Sequence, residues 1–486
     1  MKDIRENDKL LLAILAIIYL AARLPILDAL PFIKDEGLYA AMIEEQISHP
    51  TLVTTFLGYS VAWKPPIFFW VSGLFVSFLR SFGFLSIEAV YRLPCVLFGL
   101  INVYLVFLII EKLTQEKDVA FLSALLYSTF FIAIHVDIRV LTDALCGTAL
   151  LSAIYFYLNG LSDRKFFLLG GLFTFVTYFV KQTNAAAAPV IAVAFLFEKD
   201  RKKILDPIFL VSLLAYPLAS WLFNAMSYNA PTGALEQYFF QTTILDKLSL
   251  VNLWGSSVPL YLSMSVWLSV SLFGLWKNWR KSITMSVWFL LIVFPLIGGS
   301  WMPWYFYPVL LPIAYFSVEF LIRDEHGKKV KDNFFYFVFI LLILAAFGLG
   351  LMNHLSYREA YIHEKDAGEF LAGKENVLII GTYEPSIPSY KMLEEKRLEG
   401  KWLDFGWIIL NNASSQNYIP FIQNYYSNHT KVVDGNFMSL FAASAIYRKD
   451  TNITTFDYVC IVGNETVNPG GMLVFNESNT TIYKMR

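Results

Sequence analysis

Long apolar runs separated by short clusters of charged residues constrain this chain more than any other feature. Hydrophobic residues make up 56% of the 486 residues and charged residues only 16%. The first run, Leu10–Leu27, has no small-residue cleavage signature, which indicates a retained span rather than a cleaved signal peptide. Runs of this length and polarity are typical of transmembrane helices. The sequence therefore predicts an all-α polytopic membrane protein.

Ten further runs have spanning or nearly spanning length, which gives eleven predicted transmembrane helices in all. They occupy residues 90–110, 118–136, 144–160, 166–181, 184–197, 205–225, 257–276, 283–299, 304–322 and 333–353. The run Pro66–Leu79 is too short for a comfortable span and suits a juxtamembrane helix. If this run does not cross the membrane, five basic clusters lie on the same side of the membrane as the N-terminus. These clusters are at 112–117, 164–165, 199–203, 277–281 and 323–331. The positive-inside rule then predicts a cytoplasmic N-terminus.

The tail after Tyr357 differs from the preceding chain in its mixed charge and frequent turn residues. Short apolar stretches such as Val377–Ile380 and Tyr458–Val462 favour strands of a small α/β domain. We therefore predict a transmembrane catalytic domain over residues 1–356 and an extracytoplasmic soluble domain over residues 357–486. Six Asn-x-Ser/Thr sequons support the outward orientation of this tail, at Asn412, Asn428, Asn452, Asn464, Asn476 and Asn479.

Two adjacent carboxylates, Asp35 and Glu36, begin the first predicted outer loop, and Tyr39 follows them. An ordinary solvated loop is the plain alternative. However, ionisable groups at a membrane boundary are costly to desolvate and are commonly functional. A carboxylate there can act as a general base toward an incoming hydroxyl. We therefore treat this pair as candidate catalytic residues.

Isolated cations on the same predicted outer side form a second candidate group. Lys64 precedes Pro65-Pro66, which restrict its backbone and suit it to hold a phosphate in a fixed position. The other outer cations are Arg92, Arg139, Lys181 and Lys247. Each alone can be explained as a snorkelling side chain. As a set they predict a phosphate-binding site.

Several short motifs resemble the superfamily of ArnT and the protein O-mannosyltransferases, which are GT-C glycosyltransferases that use polyprenyl-phosphate sugars. These motifs are Asp35-Glu36-x-x-Tyr39, Lys64-Pro65-Pro66-x-x-x-Trp70, Arg92-Leu93-Pro94, Leu141-Thr142-Asp143 and Trp304-Tyr305-Phe306-Tyr307-Pro308. The resemblance extends over about residues 10–320. The acid pair together with Lys-Pro-Pro is its most specific feature, and the tail after Tyr357 matches no pattern of the family.

The resemblance implies an inverting transfer of a sugar from a polyprenyl (dolichyl or undecaprenyl) phosphate to an acceptor hydroxyl on the outer face. It implies Asp35 as the base, with Glu36 beside it, and Lys64 and arginines such as Arg92 and Arg139 on the lipid phosphate, with Lys181. Asp143 would support the pocket together with Tyr39, Tyr305 and Tyr307, and Asp137 competes with Asp143 for that role. No Trp-Trp-Asp motif of the oligosaccharyltransferase branch is present. A divalent metal is possible, because acidic residues without His leave metal dependence open.

A transporter or lipid flippase is the alternative function. It predicts charges in the middle of spans, whereas the ionisable residues here cluster at one boundary. The sequence does not identify the sugar, the polyprenyl chain or the acceptor, which could be a lipid, a glycan or a protein. Apart from these molecules and the membrane lipids we expect no nucleic-acid partner. The net charge of -1 says nothing about partners, because the charges are segregated along the chain.

Overall fold

The computed structural model describes most of the first two thirds of the chain and shorter segments of the remainder. The described residues are 8–33, 35–48, 50, 54–56, 59–60, 64–82, 85–226, 258–291, 303–322, 340–341, 344–345, 348, 358, 361–374, 377–380, 387, 389–391, 393–394, 408–410, 457–462, 470–477 and 480–485. Lys247 and most of the predicted last span, 333–353, lie outside them.

Fifteen α-helices cover the described residues before 323. In chain order they are α1 (Asp8–Ala21), α2 (Asp35–Ser48), α3 (Ile67–Leu79), α4 (Ile87–Thr114), α5 (Lys117–Thr129), α6 (Phe131–Asp137), α7 (Thr142–Asn159), α8 (Lys165–Val180), α9 (Gln182–Ala185), α10 (Ala187–Lys199), α11 (Pro207–Leu213), α12 (Ala215–Met226), α13 (Val258–Asn278), α14 (Ile283–Leu290) and α15 (Leu310–Ile322). Short 3-10 segments add Leu24–Ile26, Arg80–Phe82, Arg201–Leu205 and Pro303–Val309.

Membrane-spanning length can be assigned to only some of these helices. Three described helical segments, Lys9–Ile26, Ile87–Thr114 and Pro207–Met226, are long and apolar enough to cross a membrane. The pair α5 and α6, bent by 62°, would make a fourth. Helix α3 is a short apolar helix inside the predicted juxtamembrane run. The number of eleven spans stays a prediction.

The chain divides into two units by its internal packing. The helical unit contains residues 1–27, 63–68 and 92–354, and the loop unit contains residues 28–62, 69–91 and 355–486. The predicted domain boundary near residue 356 stays a prediction. The packing groups the C-terminal region, residues 355–486, with the first predicted outer loop and with most of α3 and its following turn, which precede it by hundreds of residues.

Close helix contacts build the helical unit. Helix α8 packs on α7, α11 and α12, and α15 packs on α13 and α5. A Cβ atom added at Gly274 would lie 2.0 Å from the Phe316 carbonyl oxygen, so glycine permits the approach of α13 and α15. An apolar cluster of Tyr178, Phe179, Ala185, Ala219 and Phe223 fills the space near the end of α8.

The loop unit carries the strands. The first predicted outer loop has a hairpin of β1 (Thr55–Phe56) and β2 (Tyr59–Ser60). Among its described residues, the C-terminal region has a five-stranded mixed sheet in the order β4-β3-β5-β7-β6. Its strands are β3 (Val377–Ile380), β4 (Ile408–Leu410), β5 (Tyr458–Val462), β6 (Met472–Glu477) and β7 (Thr480–Lys484). Strand β3 runs parallel to β4 and β5, whereas β7 runs antiparallel to β5 and β6.

Both strands predicted in the tail are present, with the predicted bounds. Residues 361–371 are helical. Asn476 of the sequons is exposed on β6. The other five sequon asparagines lie outside the described residues.

Candidate functional site

The acid pair forms the first turn of α2, where the helix dipole favours negative charge. Glu36 is 1% exposed, and its Oε2 accepts a hydrogen bond of 3.1 Å from the backbone N–H of Ile33. The N–H of Glu36 in turn donates to the Ile33 carbonyl at 3.0 Å. This reciprocal arrangement resembles a capping box and fixes the start of the helix. Asp35 lies one residue earlier and is half-buried.

Helix α2 is held against α3, which follows the Lys-Pro-Pro motif. The ring of Tyr39, one helical turn after Asp35, meets the ring of Phe69 edge to face at 5.8 Å. Trp70 Nε1 donates to Gln46 Oε1 at 3.0 Å. Both contacts lie within the loop unit. Tyr39, predicted to support the pocket, is therefore a buried packing residue on the same face of α2 as Asp35.

The Lys-Pro-Pro motif ends immediately before α3. Pro65 and Pro66 are buried, and Lys64 is half-buried. The first residue of α3, Ile67, packs against the apolar cluster that contains Tyr178 and Phe179. Lys181 follows Phe179 by two residues, so this cluster brings together the two chain segments that carry Lys64 and Lys181.

Lys181 and Asp143 form an ion pair. Lys181 Nζ lies 2.6 Å from Asp143 Oδ1, and the two side chains are 14% and 3% exposed. Lys181 has extended backbone at the C-terminus of α8, and Asp143 lies in the first turn of α7. The ammonium of Lys181 compensates the charge of Asp143 where both side chains are largely buried. A phosphate bound by Lys181 would therefore share the ammonium with this carboxylate.

The two predicted arginines are buried in protein. Arg92 is 0% exposed and donates through Nη1 to the Leu27 carbonyl at 2.7 Å. Arg139 is 6% exposed and lies in the short turn between α6 and α7. Neither side chain extends along the outside of the helical unit, which is what snorkelling would require.

Asp137 is the centre of a buried hydrogen-bond network. Its carboxylate accepts from Tyr19 Oη at 2.9 Å, from Arg23 Nε at 3.0 Å and from Tyr307 Oη at 2.8 Å. Asn102 Nδ2 donates to Tyr307 Oη at 2.9 Å. Because Arg23 neutralises the carboxylate and both of its oxygens are engaged, Asp137 and Tyr307 hold helices together. Asp143, by contrast, is paired with a predicted phosphate ligand.

Sequence reasoning missed Arg23. The hydropathy pattern predicts a continuous apolar run over Leu10–Leu27, but Arg23 lies within it and is 0% exposed. A lone arginine in a span is expected to face the protein interior and to have a partner. Tyr19, one turn earlier, stacks on its guanidinium at 3.7 Å. This signal is available in the sequence, although the identity of the partner, Asp137, is not.

Two buried carboxylates of the loop unit were also missed. Glu44 Oε1 accepts from Arg80 Nη1 at 2.9 Å, and its Oε2 accepts from Tyr91 Oη at 2.5 Å. Glu88 is 2% exposed and is bonded to Lys365 and Tyr390 of the C-terminal region. No local sequence pattern predicts these pairs.

Of the remaining predicted residues, the side chain of Tyr305 lies outside the described residues. The loop unit contains Asp35, Glu36 and Tyr39. The helical unit contains Lys64, Arg92, Arg139, Lys181, Asp143, Asp137 and Tyr307. Among the described residues, no group of three or more His, Cys, Asp or Glu side chains has the arrangement of a metal site.

Comparisons with known proteins agree with this architecture. The family described as dolichyl-phosphate-mannose-protein mannosyltransferase matches residues 63–223. The match begins at the Lys-Pro-Pro motif and contains Lys64, Arg92, Arg139 and Lys181, but neither Lys247 nor the acid pair. A comparison with curated protein sequences gave no match.

Solved structures show a related fold. ArnT from Cupriavidus metallidurans, bound to undecaprenyl phosphate, superposes with a TM-score of 0.63 at 12% identity, over 98% of this chain and 97% of that one. The mycobacterial arabinofuranosyltransferase AftD gives 0.55 at 14% identity, over 98% of this chain and 40% of that one. The oligosaccharyltransferase AglB from Archaeoglobus fulgidus, in complex with an inhibitory peptide and a dolichol-phosphate, gives 0.51 at 11% identity, over 93% and 69%.

The fold is therefore that of the GT-C glycosyltransferases. The resemblance to the ArnT and protein O-mannosyltransferase superfamily, predicted from the motifs, is confirmed by the family match and by these shared folds.

Proposed function

We propose that this protein is an integral-membrane inverting glycosyltransferase. It moves a sugar from a polyprenyl-phosphate donor to a hydroxyl group on a lipid, glycan or protein at the outer face of the membrane. The N-terminus is cytoplasmic and the C-terminal region is extracytoplasmic. The family match over residues 63–223 and the glycosyltransferase fold support this assignment.

The observation that carries the proposal is the location of the cations at the ends of successive helices. Arg92 lies near the start of α4, Arg139 after the end of α6, and Lys181 after the end of α8. With the bent pair α5 and α6 counted as one span, helices joined by short connections run antiparallel, so these ends share one side of the helical unit. Buried cations collected at one boundary are suited to hold the phosphate of a lipid whose chain lies in the membrane.

The transfer proposed is a direct displacement at the anomeric carbon. Asp35 takes the proton from the acceptor hydroxyl, whose oxygen forms the new bond to this carbon on the face opposite the leaving group. The bond between the anomeric carbon and the phosphate oxygen breaks, and the displacement inverts the configuration at this carbon. Polyprenyl phosphate leaves with the bonding electrons, and Lys64 with Arg92, Arg139 and Lys181 stabilises the charge that develops on it.

Glu36 has a different role in this mechanism. Its bond to the Ile33 amide occupies Oε2 and fixes the helix start, so it orients Asp35 instead of replacing it. Asp143 holds Lys181 in place through their ion pair. Asp137 and Tyr307 support the helical unit through their hydrogen bond, and Tyr39 packs within the loop unit. The role of Tyr305 in supporting the pocket is part of the proposal.

Reconstitution separates this function from lipid transport. The purified protein is placed in liposomes with a polyprenyl-phosphate sugar and an extract of native membranes as the acceptor source. Transfer predicts release of polyprenyl phosphate only when both donor and acceptor are present, with the sugar recovered on the acceptor in inverted configuration. Movement of intact donor across the bilayer, with no release of polyprenyl phosphate, would instead support a flippase.

A further inference from the structure

A buried group of hydrogen bonds joins the C-terminal region to the segment just before the acid pair. Tyr390 Oη donates a hydrogen bond to Glu88 Oε1 at 2.9 Å and accepts one from the backbone N–H of Phe32 at 2.5 Å. Lys365 Nζ donates to the same Glu88 oxygen at 2.7 Å. Phe32 and Tyr390 are 0% exposed. All four residues belong to the loop unit.

Ring packing adds to these hydrogen bonds. The rings of Phe32 and Tyr390 lie 5.1 Å apart, and the ring of Phe32 meets that of Tyr91 edge to face at 6.1 Å. Aromatic pairs at these separations contribute beyond simple burial. Phe32 is therefore held through both its amide and its side chain.

The charge on Glu88 is compensated from the C-terminal region. Burial alone would lower the pKa of the Lys365 ammonium, but the charge of Glu88 and its hydrogen bond raise that pKa above its ordinary value. Lys365 therefore keeps its charge at neutral pH and remains a donor to the Glu88 oxygen that also accepts from Tyr390.

This contact lies just before the acid pair. Asp35 follows Phe32 by three positions, and the next amide, that of Ile33, is bonded to Glu36. Two successive backbone N–H groups are thus held, one by Tyr390 from the C-terminal region and one by the first turn of α2. Because a turn fixed at two amides has little freedom, the position of Asp35 depends on Tyr390.

We propose that Tyr390, supported by Lys365 and Glu88, is a positioning residue for the Asp35 carboxylate, so that the C-terminal region contributes to catalysis. This inference rests on the proposed role of Asp35. Tyr390 does not touch the reacting groups. It acts through the backbone of Phe32.

The test compares Tyr390→Phe with Tyr483→Phe, a matched removal of a tyrosine hydroxyl from β7 in the same region of the chain. Backbone hydrogen exchange is followed in the peptide covering residues 30–40, and kcat and the donor KM are measured beside it. Tyr390→Phe should exchange at least about tenfold faster in this peptide, because a buried amide loses its partner. Its kcat should fall about tenfold with an unchanged donor KM, whereas Tyr483→Phe should match the wild type.

A second pair of variants guards against general unfolding. Lys365→Met should show part of the faster exchange over residues 30–40 and part of the decrease in kcat. Lys365→Arg should have wild-type values of both. Exchange in β5 and β7 should remain that of the wild type in each variant. Wild-type exchange over residues 30–40 in Tyr390→Phe would overturn the proposal. So would an equal loss of kcat in Tyr483→Phe.

The role of Asp35 is checked separately. Full turnover in Asp35→Asn would contradict the proposed function, not the contact. The exchange measurement would then still decide whether Tyr390 holds the loop.

Discussion

Two acidic regions of the molecule use carboxylates in opposite ways. In the helical unit, Asp137 is fully buried and receives hydrogen bonds from Tyr19, Arg23 and Tyr307. In the loop unit, Glu36 is tied to the Ile33 amide while Asp35 beside it remains half-buried at a helix start. The neutralised carboxylate, with every oxygen engaged, stabilises the fold. The partly exposed one, with a neighbour that fixes its backbone, is suited to chemistry.

The largest expected effect on stability follows removal of the Asp137 charge. Asp137→Asn leaves Arg23 as an uncompensated buried cation, and breaking such a pair costs about 3–5 kcal/mol. Thermal unfolding in detergent should show a large decrease in midpoint. The control is Asp163→Asn, at an exposed position where asparagine still caps the Lys165 amide. Equal unfolding midpoints of the two variants would mean that the Asp137 network does not stabilise the fold.

The Lys181–Asp143 pair should couple stability to donor binding. Lys181→Met leaves Asp143 buried without its partner, so it should reduce both the unfolding midpoint and the bound donor lipid. Lys181→Met combined with Asp143→Leu removes both charges and should regain most of the stability but not the lipid. Native mass spectrometry of copurified lipid provides the second readout. Recovery of lipid binding in the double variant would show that Lys181 does not hold the phosphate.

Lys64 should affect donor binding more than stability. An ammonium paired with a phosphate contributes about 1.5–3 kcal/mol, so Lys64→Ala should weaken donor binding at least about tenfold. Lys165→Ala, an exposed lysine at the start of α8, is the matched control. Wild-type turnover of Lys64→Ala at subsaturating donor would remove Lys64 from the site.

The smallest effect is expected at Glu36. Glu36→Gln keeps an oxygen that can accept the Ile33 N–H and loses only the charge, so turnover should fall a few-fold, about 1 kcal/mol or less. Steady-state kinetics measure this directly. If Glu36→Gln lost as much turnover as is predicted for Asp35→Asn, the base would be Glu36.

Local patterns predicted much of the architecture but little of the long-range pairing. Within the described residues, the apolar runs predicted helices that are present, and β-rich stretches predicted β3 and β5. The partners of Arg23 and Glu88 could not be predicted, because Arg23 and Asp137 are 114 residues apart and Glu88 and Tyr390 are 302 residues apart. Periodicity reports which face is buried, but not which distant residue meets it.

The candidate site shows the same division. Lys64, Arg92 and Lys181 stand out in the sequence because they are isolated cations between apolar runs. The capping bond of Glu36 and the contact from Tyr390 depend on the three-dimensional course of the first predicted outer loop. The sequence could name the acid pair, but the difference between its two members is visible only in the folded chain.

Turnover of Asp35→Asn, measured beside Asp137→Asn with the copurified lipid of each, is the decisive experiment for the proposed mechanism. Asparagine keeps the shape of Asp35 and removes its basicity, so turnover should fall about a hundredfold or more while bound lipid and thermal stability stay those of the wild type. Asp137→Asn should lose stability first, and its remaining folded fraction should keep its turnover. Full turnover in Asp35→Asn, or a loss explained entirely by unfolding, would contradict the assignment of Asp35 as the base.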